Sequence, residues 1–227
     1  LQDGIDIVDE EDIGMTTIDL TASEVGAKII ITDKLARQSA ENVFSMIGRQ
    51  LGDGMARKKD ADVLALYSGF STDIGSAGRT MSLANVSAAV AYAKGNKFGS
   101  NVYMVHHPFA VWDIANTAVT ASTTYPVPAG WSADLLGNFF SGLRPINGVP
   151  IFEDGNITVD ALDDAVGVIA DRSALAVLKS VDTKTERQRD ASLRSTEVII
   201  TADYGVFELD DSKGVALTLD AGTPVTA

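Results

Sequence analysis

The chain contains no cysteine. Disulfide staples, thiolate metal ligands and cysteine nucleophiles are therefore excluded at once, and the composition suits assembly in a reducing cytoplasm. Histidine is nearly missing too, with only the adjacent pair His106 and His107. Consecutive residues on a strand point to opposite faces, so these two cannot easily chelate one ion. No apolar run approaches the roughly 18 residues that a membrane helix needs, and no signal-peptide pattern opens the sequence. No membrane partner is expected. Positive charge is scarce: 18 Lys and Arg stand against 31 Asp and Glu, for a net charge of −13. Such a surface repels nucleic acid at long range and argues against a sequence-reading DNA or RNA binder.

The motifs of catalysis are missing as well. There is no Gly-x-Ser-x-Gly elbow and no Gly-Lys-Ser/Thr phosphate loop. Gly69, Gly75 and Gly78 lack dinucleotide-fingerprint spacing. Aromatic residues do not interleave with basic ones, so no base-stacking platform is legible. The carboxylate groups Asp9-Glu10-Glu11-Asp12 and Asp160, Asp163, Asp164 could at most hold a loose calcium ion, and read better as solvated acids. The expectation is no catalytic residue, no metal and no cofactor.

What is present is an ordinary globular composition, 227 residues with 45% apolar and 22% charged. Residues 1–24 carry eight acids (Asp3, Asp6, Asp9, Glu10, Glu11, Asp12, Asp19 and Glu24) and no Lys or Arg. Apolar residues alternate with polar ones at Ile5, Ile7 and Ile18, Leu20, Ala22, and a β-rich run follows at Lys28 to Thr32. This predicts an extended, two-stranded β arm over 1–32, marginal unless it leans on something else. Thr32 or Asp33 can cap a helix in which Ala40, Val43, Phe44, Ile47, Leu51 and Met55 recur, ending at Arg57-Lys58-Lys59. The spacing predicts one helix over 33–59, about 40 Å long. Gly48, Gly52 and Gly54 weaken it, so packing must hold it.

Residues 69–78 read as a Gly/Ser loop or linker, and Leu83, Val86, Val90 and Ala93 as a second helix stopped at Gly95-Asn96. A strand over 101–106 precedes a short helix opened by Pro108. Loop is expected over 117–130 and a short helix around Leu135 to Phe140. Strands are expected at 148–152, 165–170, 177–181, 197–204, 205–209 and 215–219, with a turn at 210–214. The fold class is α+β.

One charge feature stands out. Arg172, Lys179, Lys184, Arg187, Arg189 and Arg194 gather within 23 positions of an otherwise acidic chain, against Asp182, Glu186 and Asp190. One reading is a solvated hairpin. The other is a docking surface between subunits, with Asp9, Glu10, Glu11 and Asp12 of one copy meeting Lys184, Arg187, Arg189 and Arg194 of another.

The order of segments resembles the major capsid proteins of tailed bacteriophages, the Hong Kong 97-type fold. The residues that carry the likeness are Thr16 to Asp33 leading into the long helix, the helix exit Asp60-Ala61-Asp62-Val63-Leu64 with Ser68-Gly69, and Tyr103-Met104-Val105-His106-His107-Pro108 followed by Val111-Trp112. Gly148-Val149-Pro150-Ile151-Phe152 is similar to the family's Gly-x-Pro-Val strand. The closing stretch runs from Glu186-Arg187-Gln188-Arg189-Asp190-Ala191 through Ala202-Asp203-Tyr204-Gly205-Val206 to Gly214-Val215-Ala216-Leu217.

The resemblance implies an extended loop over 1–32, a peripheral domain from 33–80 and 182–227 with a spine helix at 33–59, and an axial domain over 81–181. It also implies a structural protein, not an enzyme. Such a subunit self-assembles as a homo-oligomer of pentamers and hexamers into an icosahedral head around double-stranded DNA. It is made in the host cytoplasm and resides in the virion, with decoration, portal and scaffolding proteins as partners. The alternatives are an encapsulin-like compartment shell, a small-molecule enzyme whose pocket joins His106 or His107 to carboxylates, and a secreted adhesion module.

Overall fold

A computed structural model describes residues 19–39, 42–119 and 148–224. The first strand, β1 (Ser23–Thr32), places Val25, Ala27, Ile29 and Ile31 on one face and Lys28 and Ile30 on the other. Its partner is distant in sequence: β1 runs antiparallel to β6 (Ser195–Glu208), with Ile29 opposite Val198 and Ala27 opposite Ile200. The alternating residues Ile5 and Ile7 lie outside the described residues, so the arm's expected second strand does too.

The helix expected over 33–59 is two helices. α1 (Asp33–Gln38) is capped by Thr32, whose hydroxyl accepts from Leu35 N at 3.3 Å, and it ends at Ser39 in extended backbone. Asn42 then caps α2 (Val43–Ala65) by accepting from Ser45 N at 3.3 Å. Short polar side chains compete for backbone hydrogen bonds inside a helix and serve better at its ends, which is where Ser39 and Asn42 sit. The three cations do not end α2. Lys58 reaches Asp62 one turn on, at 2.5 Å, and the helix continues to Ala65. Its 23 residues span about 35 Å.

β5 (Leu175–Asp190) and β6 form a long antiparallel hairpin, and the sheet order is β1-β6-β5. Asp190 builds the turn, accepting from Ser192 N, Ser192 Oγ and Leu193 N, while Arg194 takes positive φ. The sequence suggested a strand only over 177–181, and β5 is three times as long. Val43, Ile47, Leu51 and Met55 of α2 lie at four-residue spacing against Ile31, Val198, Ile200, Ala202 and Tyr204. This is the first core.

The second sheet, ordered β3-β2-β4-β7, joins β2 (Val102–His106) in parallel to β3 (Ile151–Glu153) and antiparallel to β4 (Asp164–Asp171), with β7 (Gly214–Asp220) beyond β4. On one face, Met104, Ile169, Val215 and Leu217 meet Val86 and Val90 of α3 (Leu83–Gly95) and Val111 and Ile114 of α4 (Pro108–Val119). On the other, Val168, Ala170 and Ala216 meet Tyr67 and Phe70, just past the end of α2. α2 therefore bridges the two sheets. Of the closing segment 182–227, β6 belongs to the first sheet and β7 to the second. α4 runs to Val119, past the expected start of a loop at 117, and the expected helix at 135–140 lies outside the described residues.

The stretch 69–78 is a loop, stitched along β7 and not free-standing as a linker. Ala216 N donates to the Thr72 carbonyl at 2.9 Å and Ile74 N to the Ala216 carbonyl at 3.1 Å. The Asp73 carboxylate accepts from Thr218 N at 3.1 Å and from Thr218 Oγ1 at 2.5 Å. Gly75 is required here, because a Cβ would stand 2.1 Å from the Thr218 carbonyl oxygen.

Candidate assembly interface

The basic stretch divides between the two faces of the hairpin sheet. Arg187 lies opposite Val198 and Arg189 opposite Thr196, so both point to the helix side. The Arg189 guanidinium grips Asp33 with both nitrogens, at 2.5 and 2.7 Å, tying β5 to the first turn of α1. The Arg189 hydrogen bond and charge hold the Asp33 carboxyl below its ordinary range and push the arginine up. Arg187 lies over the Phe44 ring, 5.7 Å from its centre. Lys184 falls on the opposite face, beside Thr201, and Arg194 sits in the turn with its carbonyl accepting from Asp33 N at 2.9 Å.

Four cations grouped by sequence are thus two that act within the subunit, one on the outer face and one at the hairpin tip. Asp9, Glu10, Glu11 and Asp12 lie outside the described residues. The outer face carries Lys28, paired to Glu197 at 3.0 Å, and the half-exposed Ile30. The tip carries Leu193 and, on α1, Leu35, both more than half exposed.

One network escaped the sequence reading. Tyr204 donates its hydroxyl to Asp62 at 2.6 Å, Lys58 donates to the other oxygen, and Lys59 spans the Tyr204 ring to reach Thr183 at 2.7 Å. Burial and the Asp62 carboxylate push the Tyr204 hydroxyl up to about 12. Burial would raise Asp62, but the two donors win and hold it below its usual range. The Lys58-to-Asp62 spacing was a legible helix signal; the partner on β6 was not.

The histidines do structural work. His106, fully buried, bonds through Nε2 to the Leu217 carbonyl at 3.1 Å and accepts at Nδ1 from His107 N at 2.9 Å. Accepting at Nδ1 fixes the neutral tautomer with its proton on Nε2. Burial, with the neighbouring His107, drops its pKa to about 4, against the hydrogen bond to Leu217. His107 feels Asp154, yet its Nδ1 is used by Phe109 N at the start of α4, 3.2 Å away. A cleft of about 160 Å³ between the end of α2 and residues 156–158 is lined by Ala61, Leu64, Ser68, Asn156, Thr158 and Val166, without either histidine. Asp160 accepts from Leu162 N and Asp164 N, and Asp164 from Gly78 N, so these acids shape turns.

Residues 16–218 match the model of a family described as phage capsid protein. The chain belongs to the phage capsid protein family. As a phage capsid protein it is a structural subunit of a viral shell, and no curated protein matches it by sequence. Solved structures agree on the fold, which is of Hong Kong 97 type. A protein of Mycobacterium phage Che8 superposes with a TM-score of 0.69 at 18% identity, over 89% of this chain and 76% of that one. The head structure of Helicobacter pylori bacteriophage KHP40 gives 0.69 at 12%, over 88% and 75%. The SrpI encapsulin of Synechococcus elongatus gives 0.65 at 9%, over 91% and 77%. In the capsid protein α2 lies on the hairpin sheet and feeds into the second sheet.

Proposed function

We propose that this capsid protein is the major head subunit of a tailed phage, assembling in the host cytoplasm into pentamers and hexamers around double-stranded DNA. The observation that carries the reading is the family match over 16–218, which spans both sheets and the helix bridging them. The role is taken to be non-enzymatic, with no cofactor and no sequence-specific grip on the genome. Portal, scaffolding and decoration proteins are the further partners. The peripheral unit is taken as the hairpin sheet with α1 and α2, and the axial unit as the second sheet with α3 and α4.

The docking of an acidic arm on a neighbour's hairpin stays part of the proposal, with Lys184 and Arg194 as its exposed cations. Arg187 and Arg189 serve their own subunit first. Lys184→Glu with Arg194→Glu should impair assembly, and reversal of Asp9 to Asp12 to lysines should restore it. Normal assembly of the unrescued variant would remove that contact from the scheme.

Negative-stain electron microscopy with sedimentation tests the whole reading. Closed shells, or rings of five or six, are the expected result; a monomer at every salt concentration would overturn it. The likeness to the SrpI encapsulin supports a second reading, a cellular compartment shell. Particles isolated from the native source would then enclose protein cargo in place of DNA.

A further inference from the structure

A half-closed cavity of about 150 Å³ lies between the 74–79 loop, the first turns of α3 and the face of the second sheet that α3 covers. Its floor is Met104, Leu217 and Leu219, and its walls are Ile74, Val86 and Ala88. Gly75 contributes no side chain and can carry none without meeting the Thr218 backbone. Two of the lining side chains are polar. Asn85 spends its amide nitrogen on the Thr80 carbonyl, 3.1 Å away. Arg79, exposed at the rim, is the one cationic residue of the lining, and its guanidinium joins none of the ion pairs among the described residues.

We propose that this cavity is a binding site for a small monocarboxylate with an aryl or branched alkyl body. The volume is that of a cavity which stays dry and accepts a benzene-sized guest when lined by apolar groups. Apolar walls favour an apolar body, because each contact removes surface from water. A lone cation at the rim of such a space in a chain of net charge −13 selects for one negative charge. Planar, bidentate recognition of a carboxylate is what a guanidinium does better than an ammonium. The cleft of about 160 Å³ below α2 makes the contrast: its polar groups are Ser68, Asn156 and Thr158, with no cation, so similar size there does not give the same ligand.

Occupancy has a structural consequence that separates this site from a passive void. The loop 71–79 is held to β7 by Asp73 and to the 3₁₀ turn Asp211–Lys213 by Asp211, which accepts from Ser71. A guest touching Ile74, Val86 and Leu219 together joins that loop to α3 and β7, so it should slow amide exchange at Ile74 and Ala216.

The test uses benzoate, with inorganic phosphate as the bare-anion control, on the full chain as subunit and as assembled shell. Binding is read by saturation-transfer NMR and by the melting temperature. The expected result is benzoate binding that phosphate does not displace. Arg79→Met should weaken it at least tenfold, and Ala88→Leu, which occupies the space while keeping the helix, should abolish it. Both variants should melt as the parent does without benzoate. No binding, displacement by phosphate at equal concentration, or full-strength binding in either variant would overturn the proposal. None of these outcomes touches the shell-forming role.

Discussion

His106 couples stability to acid. Its folded pKa, about 4, lies below the ordinary 6.5 of an unfolded histidine, so the unfolded chain takes up the proton first. The stability that the neutral ring confers is complete above pH 6.5, drains away as pH falls to 4, and is flat below. A shift of this size corresponds to about 3 kcal/mol at full protonation. Urea unfolding at pH 7, 5.5 and 4 should show that loss, and a His106→Phe variant should lack its pH dependence. The variant should also start about 1–3 kcal/mol lower, because the Leu217 carbonyl loses its donor. Arg189 and Asp33 give the opposite lesson: both are solvent-exposed, so their fork positions α1 more than it stabilises the subunit. A double-mutant cycle should find coupling at low salt that fades as salt rises.

Glycines separate surfaces that are packed inside the subunit from surfaces that are open. Gly75→Ala drives a methyl into the Thr218 backbone and should unseat the loop, lowering the melting temperature by several degrees. Gly48 and Gly52, inside α2, meet nothing within 4 Å. Alanine at either should stabilise the isolated subunit by about 0.5–1 kcal/mol, measured by urea unfolding. The sequence told of this helix through its four-residue apolar spacing, but the break between Ser39 and Asn42 looked like continuing periodicity. β1 was legible as a strand, while its partner lay some 170 residues away, beyond any local pattern. β5 hid its length: Asp182 to Asp190 contains no apolar residue, because Arg187 and Arg189 reach Phe44 of α2 and Asp33 of α1 where a core strand would use leucine. The same run misled the interface reading, since charge counts cannot tell a guanidinium bound to its own subunit from one facing a neighbour.

At the scale of the whole molecule, charge opposes crowding. With a net charge of −13, subunits repel one another, and salt screens that repulsion within about 8 Å at 0.15 M. Assembly followed by light scattering should therefore speed up as salt rises from low values, unless arm-to-hairpin attraction dominates, in which case it slows. The loop laid along β7 acts against a different hazard. A growing shell brings many identical sheets within reach of one another, and a bare strand edge accepts any compatible backbone. Thr72 to Ile74 already occupy the β7 edge, and the long edge strand β5 carries the exposed Lys179 and Lys184. Along these two edges both devices act as proofreading: a mispaired neighbour meets a ladder that is already occupied or charged, so such errors in a growing lattice stay weakly bound and can dissociate before they are locked in.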